Sequence, residues 1–154
     1  MRLLRFSSIA LLILLSASVI LAQDAARVAT VAEINGTVEV QSGKGEWMPA
    51  TVGLVLNQGD AIRTKSDSWA VLNVDGVAQT ATVEVKKSSQ VKLATLLQNG
   101  QDATETTLLD LSLGEILIKA KKLHSEKSKF EVKTPTSIVG VRGTTFSVTV
   151  EAVE

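Results

Sequence analysis

The sequence predicts an all-β fold of about ten to twelve short strands. Polar and apolar residues alternate over 37–41, 80–85 and 146–151, a pattern that turns one set of side chains inward and the other to water. Val, Ile and Thr are abundant in these segments, and their branched Cβ atoms favour the extended backbone. Turn-forming residues separate the segments, so the strands belong to a sandwich, a barrel or a coil of strands.

The turns are predicted from glycine-containing pairs. Asn-Gly and Asp-Gly supply the positive φ angles that tight hairpins require. Such signals occur at 35–36, 43–45, 58–60, 75–76, 99–100 and 113–114. We predict no helix after residue 22, and no linker-like composition divides the rest, so a single β domain is expected over 28–150.

The composition limits both the core and the chemistry. The chain has 154 residues, of which 45% are hydrophobic and only 3% aromatic, so the core must be built from Val, Leu, Ile and Ala. Sixteen basic residues balance sixteen acidic ones, and no overall field would attract nucleic acid. There is no cysteine, which excludes disulfides, thiolate catalysis and zinc–cysteine sites.

Residues 1–22 have the order of a secretory signal peptide. Arg2 and Arg5 form a positive start, 9–15 is an apolar core, and small residues lead to a cleavage site predicted after Ala22. The alternative is an uncleaved anchor, but serines interrupt the apolar stretch, which a spanning helix would not favour. We therefore expect a periplasmic or secreted protein without a transmembrane span, whose mature chain loses two basic residues and is slightly acidic.

Two motifs have a physical interpretation as parts of the fold. Gly59 and Asp60 predict a turn in which the carboxylate bonds its own backbone two residues on. In the strand that follows, Ile62 should point inward and Arg63 outward, with Thr64 next.

The second motif lies near the C-terminus. Gly140 and Gly143 flank Arg142, which suggests a bulge or a close backbone approach within a strand. Thr144 follows, and Phe146, on an alternating strand, is predicted to be a core anchor.

In this order and spacing, several segments resemble the extracytoplasmic FecR domain, which is named for the iron-citrate regulator. They are 35–40, 46–50, 53–56, 59–64, 68–72, 75–76, 130–135 and 139–146. The resemblance covers about 28–150 and implies a twisted, solenoid-like or sandwich-like stack of short strands. In the regulators of this family the domain receives a signal from an outer-membrane transporter. With only a signal peptide before the domain, we expect a free-standing FecR-like domain.

Catalysis is not expected, and neither a metal nor another cofactor is predicted. His124 is the single histidine and lies in a charged hairpin tip, where a solvated side chain is the usual state. A zinc site would need three or four converging ligands, and no glycine-rich phosphate loop is present.

Two groups of side chains are candidates for contact with a partner. The segment 119–133 is rich in lysine and could bind an acidic partner or anionic envelope material, although lysines also protect exposed strand edges from pairing. Its candidate residues are Lys119, Lys121, Lys122, Lys127 and Lys129. Trp47 and Trp69 could stack on a sugar or anchor a protein contact, or serve the core.

These observations favour an exported binding or signalling-accessory module that contacts an envelope protein through strand edges or the lysine-rich face. The alternative is a structural or glycan-binding envelope protein with no signalling role.

Overall fold

A computed structural model describes residues 23–75, 79–122 and 125–152. These residues contain thirteen strands and no helix. In chain order they are β1 (Ala25–Ala26), β2 (Ala29–Asn35), β3 (Val38–Gln41), β4 (Trp47–Pro49), β5 (Val55–Leu56), β6 (Ala61–Thr64), β7 (Trp69–Val74), β8 (Ala81–Val85), β9 (Gln90–Gln98), β10 (Glu105–Ala120), β11 (Lys129–Lys133), β12 (Ile138–Val141) and β13 (Thr145–Val150). The all-β prediction is confirmed, with slightly more strands than expected. The predicted signal peptide lies outside the described residues.

The strands form one curled sheet resembling half a barrel. Its main path runs β4-β3-β6-β9-β10-β8-β7-β2-β5. Only the β10–β11 pair is parallel among the pairings of the described strands. A β-solenoid stacks its successive coils in parallel, whereas this sheet is held together mainly by antiparallel ladders.

Strand β10 is the longest element and connects the two halves of the sheet. Before Gly114 it pairs with β9 and β11, and from Gly114 onward with β8 and β13. Gly114 has a φ of 88°, and a Cβ there would lie 2.5 Å from the Cα of Ser89. The predicted turn at 113–114 is therefore wrong: the glycine bends a continuous strand where another chain segment crosses closely.

The Asn35–Gly36 pair, predicted to form a turn, does not close a hairpin between β2 and β3 either. β2 pairs with β7 whereas β3 pairs with β6, so the chain moves from one half of the sheet to the other at Gly36. The φ of Gly36 is 72°, and a Cβ would be 2.5 Å from the Ser68 Oγ. That hydroxyl accepts a bond from the Thr37 backbone N–H at 2.9 Å.

The core is aliphatic, as the composition predicted. Buried Val, Leu, Ile and Ala side chains fill it, and Phe130 is the one aromatic residue in the buried cluster of the described chain. Phe146, predicted as an anchor, is only partly buried and packs against the margin of this cluster. Ile62 is fully buried and Arg63 is partly exposed, as the strand pattern required.

Candidate functional site

A shallow groove of about 390 Å³ lies against the hairpin formed by β11 and β12. Its walls are residues 126–131 and 140–142. Alternation along β11 sends Phe130 and Val132 into the core and leaves Lys129 exposed. Opposite Glu131, the register places Gly140, and nothing lies within 4 Å of where its Cβ would be. The missing side chain therefore helps to keep the groove open.

Arg142 connects this groove to a smaller neighbouring cavity of about 190 Å³, lined also by Lys122, Ser125 and Glu126. The Nη2 of Arg142 donates a hydrogen bond to the Glu126 carbonyl at 3.3 Å. This contact uses one of several guanidinium donors and neutralises no charge, so Arg142 can still bind an anion bidentately.

The two cavities together form what we call the basic groove, defined by Lys122, Lys127, Lys129 and Arg142. All four side chains belong to exposed residues, whereas Glu126 and Glu131 are the only acidic residues among the described residues that line it. Lys127 Nζ also lies 3.4 Å from Asp102 Oδ2, a highly exposed contact of little energetic weight. Excess positive charge in a concave surface attracts carboxylates and phosphates.

The sequence did not predict that Arg142 would join the lysine cluster. The β11–β12 pairing brings the two together, and a close contact between Gly143 and Lys122 holds the adjoining segments. A Cβ on Gly143 would lie 2.8 Å from the Cα of Lys122. A close backbone approach is thus found at Gly143, but in the connection between β12 and β13 and not within a strand as predicted, whereas Gly140 faces open space.

Other members of the lysine-rich segment lie apart from the groove. Lys119 is on β10, opposite Thr145 of β13 and Thr82 of β8, and Lys121 follows that strand. Neither lines the basic groove. Thr144 is exposed, and its carbonyl accepts the Ala120 backbone N–H at 3.2 Å.

Asp60 of the Gly59–Asp60 motif stabilises two turns through hydrogen bonds to their backbone. Asp60 is buried and accepts from the Asn57 backbone N–H at 2.8 Å and from the Gly43 N–H at 3.1 Å. The predicted bond to the residue two positions ahead is therefore replaced by bonds to earlier residues, because the carboxylate lies beneath the β3–β4 hairpin. The φ of Gly59 is 95°.

Thr64 and Arg63 also make structural contacts. The buried Thr64 hydroxyl donates to the Lys86 carbonyl at 2.5 Å and accepts the Ser89 N–H at 3.1 Å. The Arg63 guanidinium lies 4.2 Å from the centre of the Trp47 ring and 2.6 Å from Glu39.

Glu39 is the charged partner in this small cluster. Its hydrogen bond to Arg63, followed by that to Lys65 at 3.2 Å, lowers the pKa of the Glu39 carboxyl. The cluster holds Trp47 at the β4 edge of the sheet, where its ring makes a cation–π contact with Arg63 of the same chain.

Trp69 lies in a different place. It begins β7 and lines a cleft of about 460 Å³. The other lining residues are Asn35, Asp67, Ser68, Glu84, Lys86, Lys87 and Glu115. Trp47 is not among them, and its strand is at the opposite end of the sheet order from β7. The two tryptophans therefore do not form a common aromatic platform.

Among the described residues, no three His, Cys, Asp or Glu side chains come close enough to hold a metal ion. His124 lies outside those residues. Within the same ranges, no helix has the length and apolar character needed to cross a membrane.

The family model for FecR protein matches residues 60–153, more than half of the chain. The chain belongs to the FecR family. No curated protein and no solved structure matches it. FecR domains are typically extracytoplasmic. Membership of the family therefore supports, at the family level, a signalling-related periplasmic module.

The match places the basic groove and β6–β13 within the FecR region. The segments at 35–40, 46–50 and 53–56, which also carried the resemblance, precede the matched residues. They nevertheless join the same sheet, since β2 pairs with β7 and β3 with β6.

Proposed function

We propose that this FecR-family chain is an exported envelope module that binds an acidic partner protein through the basic groove. The observation that carries the proposal is the convergence of Arg142 with Lys122, Lys127 and Lys129 around one open concave surface. Arginine binds carboxylates bidentately, and lysines add a flexible positive field. Contact with a protein, and through it an accessory role in signalling, fits both the family and this surface.

The electrostatic origin of the binding gives the experiment its design. Exposed charges are screened over about 8 Å at physiological ionic strength, so capture of the partner should weaken as salt increases. Envelope extracts are passed over the immobilised exported protein at low and at physiological salt. The variant carries Lys129→Glu and Arg142→Glu. Its matched control carries Lys44→Glu and Lys92→Glu, which change two exposed lysines outside the groove.

A specific partner should be captured by the wild-type protein and the control, and lost with the groove variant. Recovery of no specific partner at either salt concentration would falsify the proposal. Equal capture by both double variants would also overturn it, since it would place the contact elsewhere.

Export is part of the proposal. Two observations support export. Residues 1–22 have the positive, apolar and small-residue order of a signal peptide, and FecR domains are typically extracytoplasmic. Intact-mass analysis of the protein from the periplasm or medium should give a chain beginning at Gln23. Recovery only from membranes, with residues 1–22 retained, would replace cleavage by anchoring.

A glycan-binding function remains the second candidate because of the Trp69 cleft. An aromatic ring bordered by carboxylates and an amide is a suitable surface for a sugar ring and its hydroxyls. In a Trp47→Phe protein, Trp69 is the one tryptophan, and its emission should change on addition of peptidoglycan or surface polysaccharide fragments. Unchanged emission at saturating fragment concentrations removes this candidate. Neither function requires catalysis, and we propose none.

A further inference from the structure

The exposed edge of β12 is the surface from which we draw a further inference. We propose that β12 accepts an extended acidic segment of the partner protein as an additional β-strand. The inference rests on the proposed function, and it specifies how the partner would bind beside the basic groove.

The first observation is that β12 ends its side of the sheet. Among the described strands it pairs only with β11. Its sequence contains no charged side chain and no proline, and Ile138 and Val139 are 64% and 37% exposed. An uncharged apolar edge is a ready template for another strand.

The backbone register shows which groups are available. The Thr134 N–H donates to the Ser137 carbonyl at 2.8 Å, so this is a hydrogen-bonded pair next to the turn. Bonded and non-bonded pairs alternate along an antiparallel ladder. Ile138 and Gly140 are therefore at non-bonded positions opposite Lys133 and Glu131. Their backbone N–H and C=O groups point away from β11 toward the open edge.

The lysines of the neighbouring strand do not protect this edge. Lys129 and Lys133 are on β11, one strand further in, and so cannot prevent pairing along β12. Protection of edges was one explanation for the lysine-rich segment. For β12, the positive charges instead border the open strand and can attract a partner to it.

Charge decides the kind of segment that fits. Arg142 follows β12 directly, and Lys129 lines the same groove as Gly140. Side chains of an added strand would lie beside β12 residues at the spacing of cross-strand neighbours. An apolar residue beside the partly exposed Val139 and a carboxylate beside Arg142, on the opposite face of the strand, would be favoured, whereas a basic segment would be repelled.

Hydrogen exchange of the exported protein, followed by NMR, can test this strand addition. The probe is a capped octapeptide of alternating Val and Glu, and its counterpart replaces each Glu by Lys. With the acidic peptide, exchange at the Ile138 and Gly140 amides should slow by about tenfold or more, because these N–H groups enter new hydrogen bonds. The basic peptide should leave both amides unchanged.

Two controls distinguish backbone pairing from attraction by charge alone. An acidic peptide methylated on alternate backbone nitrogens keeps its charge but cannot complete a ladder, and it should give no protection. Gly140→Pro removes an outward N–H, a position where an edge strand tolerates proline, and should weaken binding of the unmodified peptide. The methylated peptide keeps the test decisive even if the proline variant does not fold.

Binding of the acidic peptide without protection at Ile138 and Gly140 overturns strand addition and leaves the basic groove as the site. Equal protection by acidic and basic peptides overturns the charge selection. Protection that appears without peptide and rises with protein concentration would identify a second copy of the chain as the occupant, contrary to the proposal. Loss of partner capture by the groove variant, tested separately, decides the proposed function itself.

Discussion

Gly143 packs directly against the backbone of Lys122, with no room between them for a side chain. A Cβ on Gly143 would lie 2.8 Å from the Lys122 Cα, and the φ of Gly143 is 64°. The contact joins the segment after β12 to the segment after β10. It thereby fixes two of the four cations of the basic groove, Lys122 and Arg142, relative to each other.

We expect Gly143→Ala to destabilise the protein by about 1–3 kcal/mol, from the positive φ and the contact with Lys122. It should also weaken binding of the acidic peptide, because Lys122 must move. Gly43→Ala is the matched control, since Gly43 has a similar φ of 57°, its Cβ would meet nothing within 4 Å, and it lies outside the basic groove. Urea unfolding and peptide titration provide the two measurements. Equal effects of the two substitutions would contradict the role of the close contact.

A buried ion pair between Arg27 and Asp75 should contribute strongly to stability. The Arg27 Nε donates to Asp75 Oδ1 at 2.8 Å, Nη1 donates to Thr107 Oγ1 at 2.9 Å, and Nη2 donates to Thr80 Oγ1 at 3.0 Å. Only 7% of the Arg27 side chain and 15% of that of Asp75 are exposed. The network ties the start of the domain to the β7–β8 connection and to β10.

Arg27→Ala leaves the Asp75 carboxylate buried without its cation, and we expect a loss of about 3–5 kcal/mol in the free energy of unfolding. Lys86→Ala, which breaks the more exposed pair with Glu84, should cost about 1 kcal/mol or less. Denaturant unfolding of both variants tests the difference. Similar losses would show that burial of the Arg27 pair is not what determines its contribution.

The bend of β10 at Gly114 gives a third prediction. Gly114→Ala would force a Cβ to within 2.5 Å of the Ser89 Cα, a backbone neighbour that cannot rotate away. We expect destabilisation by about 2–5 kcal/mol, from backbone strain together with overpacking.

Gly43→Ala serves as the control for positive φ alone. Its φ is 57°, with nothing within 4 Å of the added Cβ, and the cost should be about 1 kcal/mol. The midpoints of thermal unfolding can be compared directly. If the two variants unfold together, then Ser89 does not restrict position 114.

The fourth prediction concerns pH. Arg63, and then Lys65, lower the pKa of the Glu39 carboxyl. A depressed folded-state pKa means that the ionised carboxylate stabilises the fold above its unfolded pKa of about 4.3. This stabilisation is lost as the pH falls from there through the folded-state pKa.

Trp47 can report this titration, since the Arg63 guanidinium that binds Glu39 also stacks on its ring. In a Trp69→Phe protein, the emission of Trp47 should change with a midpoint below pH 4.3, the usual value for glutamate. Adding Glu39→Gln should remove this transition. A midpoint at or above the usual value would contradict the effect of Arg63 on the carboxyl.

Local patterns were sufficient for much of the fold. The alternation over 37–41, 80–85 and 146–151 predicted strands, and β3, β8 and β13 occupy nearly those positions. The turn signals were less informative, because a glycine with positive φ serves several purposes. Gly36 marks a crossing between the sheet halves and Gly114 a bend within β10, and neither closes a hairpin.

The sequence likewise predicted only part of the candidate site. The lysines of 119–133 are adjacent in sequence, so their charge was visible there. Arg142 is distant along the chain, and only the β11–β12 register brings it to Lys129. Trp47 and Trp69 do not form the single contact surface that was one of their predicted uses. Their strands lie in different halves of the sheet.

By itself, the sequence determined that this is an all-β FecR-family chain with an aliphatic core, because alternation and turn chemistry are local properties. The tertiary structure alone decided which strand edges stay open and which charges meet. The open edges and the meeting of charges depend on pairing between segments that are distant in sequence. Strand β10 bends at Gly114 and pairs within both halves of the sheet, and β12 pairs on one side only. No short stretch of sequence carries the register that makes the groove and the open edge neighbours.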